Sequence, residues 1–156
     1  MEYTIRSAND KVYPDKNLPL DIWEEADTLQ ITHFPWQDSG HRPETTVRLL
    51  YTTNALYIRF EVKDQFIRAV ARQFQDNVCT DSCVEFFVAP VPDSLDYFNF
   101  EVNCGGTMLL HRCPSIEERA NGRETENVTH ADGLTIEIEH SLPKIIDPEI
   151  AEPTNW

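Results

Sequence analysis

Basic residues and long apolar runs are what this sequence has least of. Lys and Arg number 13 against 27 Asp and Glu, which sets the formal net charge at −14 over 156 residues. An acidic surface of that strength repels phosphate backbones and anionic leaflets, and no Lys/Arg run offsets it locally, so neither is an expected partner. No stretch approaches the roughly 20 apolar residues of a membrane-spanning helix. The opening segment MEYTIRSANDKVYPDK also lacks the apolar run of roughly 7–15 residues that a secretory signal needs. With Met1 as the native start the expected location is the cytoplasm, whereas removal of an upstream segment would make it extracellular. Cysteine is sparse and unpatterned: Cys79, Cys83, Cys104 and Cys113 form no CxxC pair, since Cys79 and Cys83 frame three residues. They read as thiols of a reducing compartment, and zinc held by them with His111 has no paired ligand spacing behind it. The sequon Asn127-Val128-Thr129 matters only in a secreted chain.

What is present suffices for a fold. Hydrophobic residues make up 40% of the chain and aromatic residues 10%, enough for one ordinary core, and a chain of this length fits one domain over 1–156. Between its 10 prolines and 5 glycines the dominant period is two rather than 3.6. Residues 46–52 and 55–63 place Val47, Leu49, Tyr51, Leu56, Ile58, Phe60 and Val62 on one face, with Thr53-Asn54 as the turn of a hairpin. Residues 83–89 and 97–104 alternate in the same way, and a Pro-rich loop joins them. Gly105-Gly106 is expected to form a two-residue type I′ turn into 107–112. A further strand is predicted over 134–140. Asp21 to Glu24 and Ser115 to Glu118 have capping-box spacing, the second closed by Asn121-Gly122, so each predicts a helical turn. Many short strands with little helix indicate an all-β fold, an antiparallel β-sandwich of jelly-roll or immunoglobulin-like type. The chain ends on Thr154-Asn155-Trp156, where another strand should begin, so C-terminal strands are expected beyond it.

Strand parity nominates a site. A two-residue Gly-Gly turn sets Asn103 opposite Met108, Glu101 opposite Leu110 and Asn99 opposite Arg112. Glu85 has the same parity in the preceding strand and should lie beside Glu101 or Asn103. One face then carries Glu85, Asn99, Glu101, Asn103 and Arg112. That mixture suits polyols, because carboxylates accept from hydroxyls, amides donate and accept, and Arg donates in a planar fork. The same parity puts Cys83 and Cys104 on opposite faces and predicts a buried Cys104 thiol. Glu85 and Glu101 also raise a glycosidase alternative, since retaining enzymes hold two carboxyls ~5–5.5 Å apart. No GxSxG, HExxH, P-loop or GxGxxG accompanies them.

Three segments, RLLYTTNALYIRFEVKD (48–64), DSCVEFFVAP (81–90) and YFNFEVNCGGTML (97–109), together resemble the family 9-like carbohydrate-binding modules, the xylanase-type, DOMON-related β-sandwiches. The family's hairpin, its "DS.VEfF" segment and its "F.vN" strand match in order, and Trp36 in ITHFPW fits the same subgroup. The resemblance spans roughly residues 20–156. It implies a sandwich that binds sugars without catalysis, such as plant-type xylan or glucan, in carbohydrate catabolism. It assigns sugar contacts to Glu85 and Asn103, on the face that parity selects. Characterised relatives hold calcium structurally, and Asp64, Asp76, Asp81 and Ser82 are the oxygen donors available for it here, together with Asn77.

The departures from the family pattern are specific. Cys79 stands where relatives have the first tryptophan that sandwiches the sugar, and Glu101 stands where they have a basic residue. The second tryptophan belongs to family sequence beyond Trp156, so stacking could fall to Trp36, Phe74 or Tyr97. The expected ligand-binding residues are therefore Glu85, Asn99, Glu101, Asn103, Arg112 and Trp36. The expected partner is an oligosaccharide or polysaccharide. A sandwich domain for protein contacts that has lost sugar binding is the main rival.

Overall fold

The structure is a computed structural model and describes residues 2–8, 20–35, 39–91, 96–128 and 134–156. Trp36 lies outside the described residues. The chain divides into two compact units, residues 1–64 with 153–155, and residues 65–152 with Trp156.

The first unit is built on the predicted hairpin. Strands β3 (Glu44–Tyr51) and β4 (Leu56–Asp64) pair antiparallel with Tyr51 opposite Leu56, and the Thr52 amide donates to the Ala55 carbonyl at 2.9 Å, leaving Thr53-Asn54 at the tip. Val47 faces Phe60 and Leu49 faces Ile58, so the two-residue alternation puts their side chains on one face as expected. Val47, Leu49 and Val62 are buried there, and each such side chain contributes about 1.5–3 kcal/mol by leaving water. Short strands β1 (Arg6–Ser7) and β2 (Leu29–Ile31) share the other edge of β3, β1 in parallel, while β11 (Thr154–Asn155) pairs with β4. A 3-10 turn, Leu20–Glu25, forms where the first capping-box spacing lies, and its Ile22 packs with Ala8, Ala26 and Leu50.

The second unit carries a four-stranded antiparallel sheet in the order β6 (Cys83–Val88), β7 (Tyr97–Asn103), β8 (Met108–Cys113) and β9 (Glu126–Asn127). A two-stranded sheet pairs β5 (Ile67–Ala69) with β10 (Ile146–Ile150). Its core gathers Ile67, Ala69, Cys104 and Ile146, with Leu142, Ile150 and Trp156 packed against them. Helix α1 (Ile116–Ala120) begins on the predicted capping box: Ser115 Oγ accepts from the Glu118 amide, and the Glu118 carboxylate accepts from the Ser115 amide. The fold is thus all-β with antiparallel sheets and one short helix, no sheet closing into a barrel among the described residues, consistent with the expected β-sandwich class.

Two expectations need correction. The β7–β8 connection is a three-residue loop, Cys104 to Gly106, in which Gly106 alone of the two glycines takes positive φ, at 79°. The Asn103 side chain decides this: its Oδ1 accepts from the amides of Gly105 (3.1 Å) and Thr107 (2.7 Å), while the Asn103 amide donates to the Thr107 carbonyl. A two-residue turn has no place for these bonds, and the type I turn closed by a left-handed glycine wins. The register therefore shifts by one, pairing Val102 with Met108, Phe98 with Arg112 and Asn99 with His111, and a shift of one moves every β8 side chain to the other face. Residues 134–140, predicted as a strand, pair with no strand among the described residues. Their alternation survives as burial alone, with Ile136 and Ile138 half-buried and their neighbours exposed.

Candidate functional site

Parity along β6, β7 and β8 assembles one polar face. Glu85 lies directly opposite Glu101, Phe87 opposite Asn99 and Cys83 opposite Asn103, and His111 continues the row beyond Asn99. On the central strand the polar side chains are sunk into the fold: Asn99 is 7% exposed, Glu101 8% and Asn103 2%. Glu85 and Phe87 are the exposed members, on the outer strand. The reverse face is apolar, with Val84, Phe86, Val88, Phe98, Phe100 and Val102, and Phe86 meets Phe100 at 6.3 Å between ring centroids.

Two carboxylates facing each other on one sheet face repel, and that arrangement is tolerated only where something else requires it. Asn99 Nδ2 donates to Glu101 Oε1 at 2.8 Å. The Glu85 carboxyl titrates above the usual carboxylate range, chiefly because of burial, then because of the Glu101 charge, with Asn99 opposing through a hydrogen bond. The same surroundings push the Cys83 thiol up to about 12, burial first, then Glu85 and Glu101. Asn99 Oδ1 is buried and has no hydrogen-bond partner among the described residues. Next to the carboxylates, the Phe87 ring is 53% exposed and lies 5.9 Å from the Tyr97 ring at 48°. Arg119 covers Tyr97, its guanidinium 5.8 Å from the ring centroid and bonded to the phenol oxygen.

The predicted site residues divide. Glu85, Asn99 and Glu101 come together as the pleat requires. Asn103 shares their face, but its amide is committed: besides closing the loop, its Nδ2 donates to Asp81 Oδ2 at 2.9 Å. Arg112 is moved to the opposite face by the register shift, where its Nε donates to Asp96 at 2.8 Å and Arg123 holds the same carboxylate. Those two guanidiniums, Arg123 foremost, hold the Asp96 carboxyl below the usual range. Phe87 and His111 are face residues that the sequence did not nominate as ligand contacts. A left-handed glycine after Asn-Cys-Gly was the available signal for His111, because it sets the parity of β8.

The acids nominated for calcium are occupied otherwise. Asp64 pairs with His41 at 2.7 Å in the first unit. In the second, Asp76 Oδ2 accepts from the Arg72 and Gln73 amides, Asp81 Oδ2 accepts from the Val70 and Ala71 amides, and Ser82 Oγ accepts from the Arg68 amide. Asp81 Oδ1 is buried and unpartnered, yet calcium takes 6–8 oxygens, and among the described residues no three His, Cys, Asp or Glu side chains converge on any point. No disulfide joins Cys79, Cys83, Cys104 and Cys113 among the described residues, and Cys104 is buried as predicted, in the loop rather than on the strand.

The antiparallel sheet thus offers buried amides, paired carboxylates and an exposed ring on one face. Residues 18–151 match carbohydrate-binding family 9, and the chain belongs to that family. A solved structure from Bacteroides uniformis, of a protein proposed to bind carbohydrate, is similar to it, with 28% identity and a TM-score of 0.58. The similarity covers 68% of this chain and 45% of that one, so the chain accounts for less than half of the length of that relative. No curated protein matches the chain.

Proposed function

We propose that the chain is a non-catalytic carbohydrate-binding domain that holds oligosaccharide or polysaccharide, of plant type such as xylan or glucan, on the Glu85 face of the β6–β9 sheet, in the service of carbohydrate catabolism. The observation that carries this reading is the direct pairing of exposed Glu85 with buried Glu101, beside Asn99 and the exposed ring of Phe87. A carboxylate at the rim accepts from sugar hydroxyls, and an aromatic face takes the apolar side of a pyranose. Family membership supports binding rather than turnover. Calorimetric titration with xylotetraose and cellotetraose tests it. Saturable binding is expected, weakened about tenfold or more by Glu85→Ala, as befits loss of a charge-assisted hydrogen bond. A folded chain that binds neither sugar would overturn the proposal.

A further inference from the structure

The buried side-chain atom on this face that has no partner among the described residues, Asn99 Oδ1, is a hydrogen-bond acceptor, and it stands in a row with the two carboxylates and with the donors Cys83 and His111. No ion pair reaches Glu85 or Glu101 among the described residues, and the electrostatics of Glu85 are accounted for by burial, Glu101, and Asn99 without any Lys or Arg. Glu101 is buried, with Asn99 Nδ2 as its hydrogen-bond donor. Buried carboxylates ordinarily have a cation, and this one faces a second carboxylate instead. Independently of the acids, Asn99 Oδ1 is a buried acceptor that meets no donor among the described residues, on a side chain that is 7% exposed. Beside them Phe87 is two positions from Glu85 on the same strand face, roughly 7 Å along the pleat, a separation comparable with one pyranose ring.

At Glu85 two opposed carboxylates and the Asn99 acceptor beside them favour a ligand rich in donors. A hydroxyl donates once and also presents acceptor lone pairs to the carboxylates, and an acetamide brings a carbonyl. An ammonium has three donors, no acceptor and the missing positive charge. We infer that the site prefers a sugar carrying a free amine, a 2-amino-2-deoxyhexose unit, its ring on Phe87 and its ammonium at Glu85. The inference rests on the carbohydrate-binding reading and narrows it to a ligand class. Glu101 acts as a positioning charge, adding negative potential behind Glu85, and the exposed Phe87 ring supplies the apolar platform.

Three β-1,4-linked tetrasaccharides that differ only at C2 decide the matter: tetraglucosamine, its fully N-acetylated form and cellotetraose. Each is titrated into the full chain by calorimetry at mildly acidic pH, where the amines are protonated, in physiological salt with a chelator present. Tetraglucosamine is expected to bind about tenfold or more tighter than cellotetraose, the margin typical of one charge-assisted bond, and the acetylated form no better than cellotetraose. Because an acidic chain attracts any polycation, Glu85→Gln is compared with the exposed pair Glu117→Gln/Glu124→Gln. Loss of the preference in the first but not in the second supports the inference. A preference that survives Glu85→Gln, or that falls as much in the distant pair, overturns it. Cellotetraose or xylotetraose binding with no amine preference overturns the inference and leaves the carbohydrate reading standing, whereas no binding by any of the four sugars removes both.

Discussion

Neutralising Glu85 should stabilise the protein while impairing its site. Glu85 and Glu101 are a directly opposed cross-strand pair of like charge, and such pairs are destabilising on the scale of about 0.2–1 kcal/mol. Glu85 is exposed, so solvent screening places the effect toward the lower half of that span, about 0.5 kcal/mol. For a domain of this size, where 1 kcal/mol shifts the melting temperature by roughly 2–4 °C, Glu85→Gln should melt about 1–2 °C higher at neutral pH. The raised carboxyl fixes the pH dependence. A group that binds its proton more tightly in the folded than in the unfolded state contributes stability below its unfolded pKa of about 4.3 and loses that contribution as pH rises through its folded value. The advantage of Gln should therefore be full at neutral pH and vanish in acid, where the wild-type carboxyl is itself protonated. Urea denaturation of both proteins across that range measures it. A Gln variant that is clearly less stable at neutral pH would refute the reasoning, because it would mean that the Glu85 charge has a favourable partner.

Other consequences of the structure are equally open to measurement. Asn103→Ala removes the acceptor for the Gly105 and Thr107 amides, and with these two buried groups left unsatisfied at about 1–3 kcal/mol each, a loss of at least about 2 kcal/mol in urea is expected, while Asp81 keeps the Val70 and Ala71 amides. Gly105→Ala would drive its Cβ into the Lys144 carbonyl, a backbone atom, so destabilisation of about 1–3 kcal/mol should appear as a lower denaturation midpoint. Because its thiol is pushed up to about 12, Cys83 should resist iodoacetamide at neutral pH in the folded chain, while exposed Cys79 reacts first, as peptide mass spectrometry can follow.

The parts of the fold that a two-residue period controls were legible from the sequence. The β3–β4 hairpin follows from alternation and a turn dipeptide, and the shared face of Glu85 and Glu101 follows from alternation alone, while the choice of Glu101 over Asn103 as the residue opposite Glu85 came only with the observed register. Legibility failed where one side chain outweighed the local pattern. Asn103 closes its loop by accepting two amides, so Gly-Gly does not form the two-residue turn that its dipeptide favours, and Arg112 leaves the site for Asp96. The short strands β5, β10 and β11 have too few residues to show a period, and their pairing depends on long-range partners. The family motif itself proves largely architectural: Asp81 and Asn103 tie the loop to residues 70–71, Ser82 bonds Arg68, and Glu85 is the motif carboxylate left at the surface.

The central claim is that sugar is held on the Glu85 face. A titration of isotope-labelled chain with tetraglucosamine and with cellotetraose, followed through amide chemical shifts, tests it most directly. Saturating shifts concentrated at Glu85, Phe87, Asn99 and Glu101, which need about tenfold or more sugar in Glu85→Ala, are the predicted result. Shifts confined to the first unit, or none at any sugar concentration, would contradict it.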